Sequence, residues 1–165
     1  MAQRDAQPDE PQRLAAAREQ MQASSFLGHT GIRVVSLGDR TATVELPVTE
    51  SLLQGLGVLH GGMFGALVDT AIGAAVFGGL KGEGAAVTIE FKVNLYQPGR
   101  LGDVLTARAE VLHLGRATAA GTEKITNQNG QLVGHGTATF MRVKAASLVP
   151  VTVAGGITAS GASER

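Results

Sequence analysis

Between Gly55 and Leu80 the chain reads GLGVLHGGMFGALVDTAIGAAVFGGL, and His60 and Asp69 are the titratable side chains within it. A lone carboxylate inside a long apolar run is costly unless something uses it. Burial disfavours its charged form and makes it a stronger base once ionised. The glycine pair Gly61-Gly62 leaves backbone N–H groups approachable where a helix begins. An open helix N-terminus accommodates a polarised carbonyl or an oxyanion. A carboxylate together with an oxyanion donor points to acyl chemistry.

The spacing limits how the two can cooperate. Asp69 lies nine positions after His60, which along a continuous helix is a rise of about 13.5 Å and a rotation of about 900°. They therefore lie on opposite faces and cannot meet at one reacting carbon within one chain. They can meet when two such helices lie side by side and antiparallel about a two-fold axis. The expectation is a homodimer with shared sites, His60, Gly61 and Gly62 coming from one subunit and Asp69 from the other.

The flanking elements must position that helix. PQRLAAAREQMQASSF (11–26) reads as a short amphipathic helix capped by Asp9, after a loose start, and residues 1–25 stand apart from the main domain, 26–144. GIRVVSL and RTATVELPV form a hairpin joined at Gly38-Asp39. The apolar helix follows, and Gly78-Gly79 is expected to close it. In VTIEFKVNLY the period becomes two, placing Val87, Ile89, Phe91, Val93 and Leu95 on one greasy face. DVLTARAEVLHL, RATAAGTEKITN and QLVGHGTATFMRV complete the strands, with a turn at Asn129-Gly130 and a flexible tail from 145 to 165. The class is α+β, an antiparallel sheet of five to six strands covering a long apolar helix. Because that helix is apolar nearly all round, the sheet buries one side and a partner subunit the other.

Composition narrows the function classes. Fourteen basic residues balance fourteen acidic ones, which argues against nucleic acid as a partner. With no cysteine there is no disulfide, thiolate metal site or cysteine nucleophile, and the four histidines lack metal-ligand spacing. The polar start carries no signal peptide, so the expected location is cytoplasmic. Asp69 and the internal glycines make 61–80 a buried core helix rather than a membrane span.

The motif GVLHGGMFGALVD, with the later VNLYQPGRLGD and Gly115-Arg116, resembles the hotdog-fold acyl-CoA thioesterases of the phenylacetate-degradation type. The resemblance covers 26 to 143, and Gln54 in SLLQGLGVLHGG is similar to the branch of the Arthrobacter 4-hydroxybenzoyl-CoA thioesterase. It implies a hotdog fold, a sheet wrapped around a central helix, and hydrolysis of an acyl-CoA to acid and CoA. CoA enters as part of the substrate, so no separate cofactor is implied, and the assembly is a homotetramer of dimers. The Gly61 N–H would hold the thioester oxygen, with Gln54 assisting and His60 orienting Gln54. Asp69 would attack the carbonyl or take a proton from water. Related chains place a hydroxyl one turn after the acid; here that position is Gly73, with Thr70 the nearest hydroxyl. Gly62, Thr70 and Gly73 fall in the acyl region, Met63 and Phe64 in the core or the acyl-pocket wall, and Arg100 and Arg116 at turns that meet the coenzyme, with Arg142 and Lys144 in reach of its phosphates. The Gln54 likeness favours hydroxybenzoyl or phenylacetyl groups. Alternatives are a non-catalytic acyl-CoA sensor and a hydratase or dehydratase of the same fold.

Overall fold

The computed structural model describes residues 10–144. The expected Asp9 cap, loose start before residue 10 and flexible tail after 144 lie outside the described residues. Helix α1 (Glu10–Gln22) and the short α2 (Ser25–Thr30) precede a hairpin of β1 (Arg33–Gly38) and β2 (Thr41–Pro47). A 3-10 turn at Glu50–Leu52 leads to the central helix α3 (Gly61–Gly79). Four strands follow, β3 (Ala85–Leu95), β4 (Val104–Leu114), β5 (Thr118–Thr126) and β6 (Leu132–Val143). All pair antiparallel in one six-stranded sheet of order β1-β2-β4-β5-β6-β3. Every strand touches α3, so the sheet curls around it. This is the hotdog fold.

Close approach decides how α3 sits. A Cβ at Gly136 would run into Val68, and one at Gly121 would come 2.6 Å from the Ile72 side chain. Both valine and isoleucine are fully buried against strand positions that only glycine leaves open. Gly78 and Gly79 serve packing in the same way: they lie within the helix, and a Cβ on Gly78 would collide with the Gly38 carbonyl of the β1–β2 turn. The helix ends at Gly79 as expected, and the left-handed turn follows at Lys81 and Gly82. By length and composition α3 could cross a bilayer, but most of it is buried within the sheet. One stripe of it, Met63, Ala66, Asp69, Thr70, Gly73 and Phe77, is only half-buried.

The period-two reading of β3 needs correction. Its register against β6 slips between Thr88 and Glu90, so Ile89 is the extra residue of a β-bulge. Thr88 lies opposite the buried Phe140, while Phe91 lies opposite the buried Ala138 and stacks over Gly65 of α3. Thr88 and Phe91 thus both face the helix, which strict alternation forbids. β3 is also an edge of the sheet, and Ile89, Phe91 and Leu95 are exposed on it.

The N-terminal helix splits in two, and polar anchors hold it. α1 fully buries none of its residues. Instead the Arg13 guanidinium donates to the Gly78 carbonyl at 3.2 Å, a cation at the C-terminal end of α3. Gln22 donates to the Ile32 carbonyl at 3.1 Å and accepts the Val34 N–H at 2.8 Å, pairing with the β1 edge as a strand would.

The fully buried acid is Glu123, on the inner face of β5 between Ala109 and Gly136. Neither carboxylate oxygen has a partner, and burial pushes its pKa up to about 8 from 4.5. The folded protein holds a proton that the unfolded chain has lost above pH 4.5. The contribution of Glu123 to stability is thus fully present below that pH and is lost toward pH 8, by about 1.4 kcal/mol per unit. Denaturant unfolding at pH 5 and pH 8 should show this loss in the wild type and little of it in Glu123→Gln. Equal losses in both proteins would contradict it.

Candidate active site

The site is built from three pieces of chain, and the first is the entry to α3. Gln54 starts a tight turn closed by the Gly57 N–H on its carbonyl at 2.9 Å, with Gly57 at φ 74°. The segment is pinned by Leu59 N–H to Gly99 at 2.9 Å and His60 N–H to Leu52 at 2.9 Å. His60 is the N-cap, with extended backbone, and its Nδ1 accepts the Gly62 N–H at 3.0 Å. Accepting at Nδ1 places the proton of the neutral ring on Nε2. Gly62 is thereby spent as a donor, and the exposed Gly61 N–H has no partner among the described residues.

The expected link from His60 to Gln54 is not formed. Gln54 Oε1 accepts the Leu56 N–H at 2.9 Å, and His60 caps its own helix. Both side chains shape the backbone around Gly61, and the Gln54 amide nitrogen has no partner among the described residues. Phe64 takes the first of its two expected places: it is 2% exposed and belongs to the core. Met63, half-buried one turn into the helix, remains at the surface stripe.

The second piece is Asp69. It is half-buried, and Thr88 Oγ1 donates to its Oδ1 at 2.6 Å. Sequence reasoning missed Thr88. It sought a hydroxyl on the helix, at Gly73 or Thr70, whereas the fold delivers one from β3 through the bulge at Ile89. The signal available was a threonine within the strand that follows the helix, but its orientation depends on the bulge. Among the described residues Asp69 carries this one hydrogen bond, at Oδ1, and its Oδ2 has no partner there.

The third piece is an apolar cavity of about 410 Å³ beside Asp69. Thr70, Gly73 and Phe77 of α3 form one wall, and Ala86, Thr88 and Phe140 of the sheet form another. A Cβ at Gly73 would only touch the Phe140 ring at 3.4 Å, so the missing side chain leaves cavity space rather than relieving a clash.

Other expected residues scatter. Arg100 is exposed beside the Gln54 turn, its backbone bridged to Val58. Arg116 is exposed on the β4–β5 turn, whose neighbour Leu114 packs near Gly79 at the far end of α3. Within one chain the length of α3, roughly 28 Å, separates them. Arg142 is committed to the Gly115 carbonyl at 2.8 Å. No cluster of potential metal ligands occurs among the described residues.

Comparison with known proteins places this geometry. Residues 56–133 match the thioesterase superfamily model. The acyl-coenzyme A thioesterase PaaI of Escherichia coli is 38% identical over 104 residues, covering 62% of this chain and 71% of that protein. The chain belongs to the thioesterase superfamily. A second relative, the 1,4-dihydroxy-2-naphthoyl-CoA hydrolase of Listeria monocytogenes, is 31% identical over 62% of this chain and 83% of its own length. Superposition on the solved E. coli PaaI structure, from the phenylacetic acid degradation operon, gives a TM-score of 0.70 at 28% identity. It covers 81% of this chain and 94% of that one. A hypothetical thioesterase from Streptococcus pneumoniae solved with coenzyme A gives 0.64 at 31% identity, over 68% and 89% of the two chains. These are the relatives of a thioesterase whose Asp69, Thr88 and Gly61 occupy one fold.

If Thr88 orients Asp69, Thr88→Val should lower kcat and leave KM nearly unchanged. A hydrogen bond to a charged group is worth about 1.5–3 kcal/mol, or roughly ten- to hundredfold in rate. Thr88→Ser should restore most of it. Steady-state kinetics of the three proteins would refute the role if Thr88→Val kept its kcat.

Proposed function

We propose that the chain hydrolyses acyl-CoA thioesters to free acid and CoA as a homodimer with two shared sites. The observation that carries the reading is the Asp69 carboxylate, fixed by Thr88 at an apolar cavity, midway along a helix whose N-terminus presents a Gly61 N–H with no partner among the described residues. CoA is part of the substrate, and no metal or separate cofactor enters the chemistry. The Gly61 N–H of one subunit takes the thioester oxygen, assisted by the Gln54 amide. One oxyanion donor of this kind is worth about 2.7–4 kcal/mol. Asp69 of the other subunit then acts on the carbonyl carbon in one of two ways. As nucleophile it forms a mixed anhydride and expels CoA thiolate, and water hydrolyses the anhydride; as general base it takes a proton from an attacking water.

The dimer rests on β3. Its edge carries unpaired backbone groups and the exposed Ile89, Phe91 and Leu95, beside the half-buried stripe of α3. An apolar open edge is an aggregation hazard, and antiparallel pairing with the same strand of a second copy removes it. That pairing also brings α3 alongside its symmetry mate. Two such dimers form a homotetramer in the reading that the family resemblance supports. The phenyl rings of Phe77 and Phe140 suit aromatic acyl groups of hydroxybenzoyl or phenylacetyl type. A cytoplasmic setting suits a CoA-using chain without cysteine.

Thiol release from a panel of aryl- and alkyl-acyl-CoAs tests the activity. The wild type should turn over, and Asp69→Asn should lose at least about a hundredfold in kcat. Equal activity in both proteins would remove Asp69 from the chemistry. Tight acyl-CoA binding without turnover in either would make the chain a sensor.

A further inference from the structure

The cavity beside Asp69 has a third wall, and it comes from outside the sheet-and-helix core. Met21 of α1 and Phe26 and Leu27 of α2 close it, with Gln20 and Ser24 at its polar margin. Phe26 is 52% exposed although it is a large aromatic, and Leu27 beside it is buried. This segment is not a loose leader. The Arg13 bond to Gly78 ties its start to the C-terminal end of α3, and the paired Gln22 bonds tie its middle to β1. Neither anchor lines the cavity. A helical strap is thus fixed at points away from the cavity and holds two flexible or aromatic apolar side chains over it.

We propose that this strap, residues 10–30, is the acyl-selecting wall of the site, and that Met21 and Phe26 set the length of acyl group that Asp69 can serve. The proposal rests on the thioesterase reading above. An acyl chain whose carbonyl lies at Asp69 has the cavity as its apolar outlet, between α3 and the sheet, and the strap closes that outlet. Each methylene accommodated there changes affinity by about fourfold, so a wall that moves by one side chain is visible in a length profile. Discrimination is set by residues that touch the acyl group and not the thioester carbon.

The test uses the full chain and CoA thioesters of two to twelve carbons, with thiol release as readout. Phe26→Ala enlarges the outlet and Met21→Trp shortens it. The ratio of kcat/KM for decanoyl-CoA to that for butyryl-CoA should rise about tenfold in the first and fall about tenfold in the second. Loosening of the fold would not move the two variants in opposite directions, and thermal melting checks that both are folded. An unchanged ratio in both folded variants overturns the wall. If the wild type hydrolyses none of these thioesters and neither phenylacetyl-CoA nor 4-hydroxybenzoyl-CoA, the thioesterase reading fails. Calorimetric affinities of the same three proteins for the same acyl-CoAs then decide the strap: opposite shifts in length preference support it, and unshifted or absent binding overturns it.

Discussion

Close contact between α3 and the sheet is the constraint from which the site follows. Val68 and Ile72 fill the spaces left by Gly136 and Gly121, and their depth of insertion fixes the rotation of the helix. They lie one turn apart on the sheet side. At about 100° per residue, Asp69, Thr70 and Gly73 must then turn toward the open stripe. The carboxylate stands at the border between packed core and accessible groove because its neighbours in sequence have no other place to go. The same contact sets the helix ends. Gly78 packs on the β1–β2 turn, and His60 caps the opposite terminus at the surface.

The polar groups divide into those that hold backbone and those left to act. His60 occupies Gly62, Gln54 occupies Leu56, and Arg13 occupies Gly78. What remains among the described residues is the Gly61 N–H, the Gln54 amide nitrogen and one oxygen of Asp69. A donor at a helix start and a carboxylate midway along the same helix are separated by about 12 Å, which is why the proposed function divides the site between two copies. In that proposed dimer the apolar edge of β3 and the half-covered stripe of α3 are the contact surface.

Much of this was legible in sequence, for physical reasons that can be named. The glycine pair after His60, the isolated Asp69 and the apolar run between them marked the central helix and the candidate groups at its start and middle. Turn residues such as Asn129-Gly130 marked strand ends. What was illegible depended on contacts between distant segments. Alternation in β3 suggested that Ile89 faces the helix, but the bulge against β6 turns Thr88 inward instead. Gly78 and Gly79 mark the helix end correctly, but the close approach of the Gly38 carbonyl to Gly78 is a contact the sequence does not show. The N-terminal helix shows weak amphipathicity because hydrogen bonds hold it, so its sequence gives no hint that it borders the cavity. Glu123 falls on the same period-two face of β5 as Ala119, Gly121 and Ile125, so alternation points it inward, against the preference of a carboxylate for water.

The central claim is that each site takes Gly61 from one subunit and Asp69 from the other, and complementation between two inactive chains tests it most directly. Gly61→Pro removes only the N–H in question: proline is favoured at the first helical position. His60 already has the extended backbone that a following proline requires, φ −61° and ψ 132°. A Cβ at Gly61 meets nothing within 4 Å. Paired with Asp69→Asn in a doubly tagged heterodimer, it leaves one site with both native groups if sites are shared, and none if each chain is self-contained. The account predicts that both mutant homodimers are nearly inactive and that the heterodimer recovers about half the wild-type rate. A folded heterodimer as inactive as its parents would contradict it.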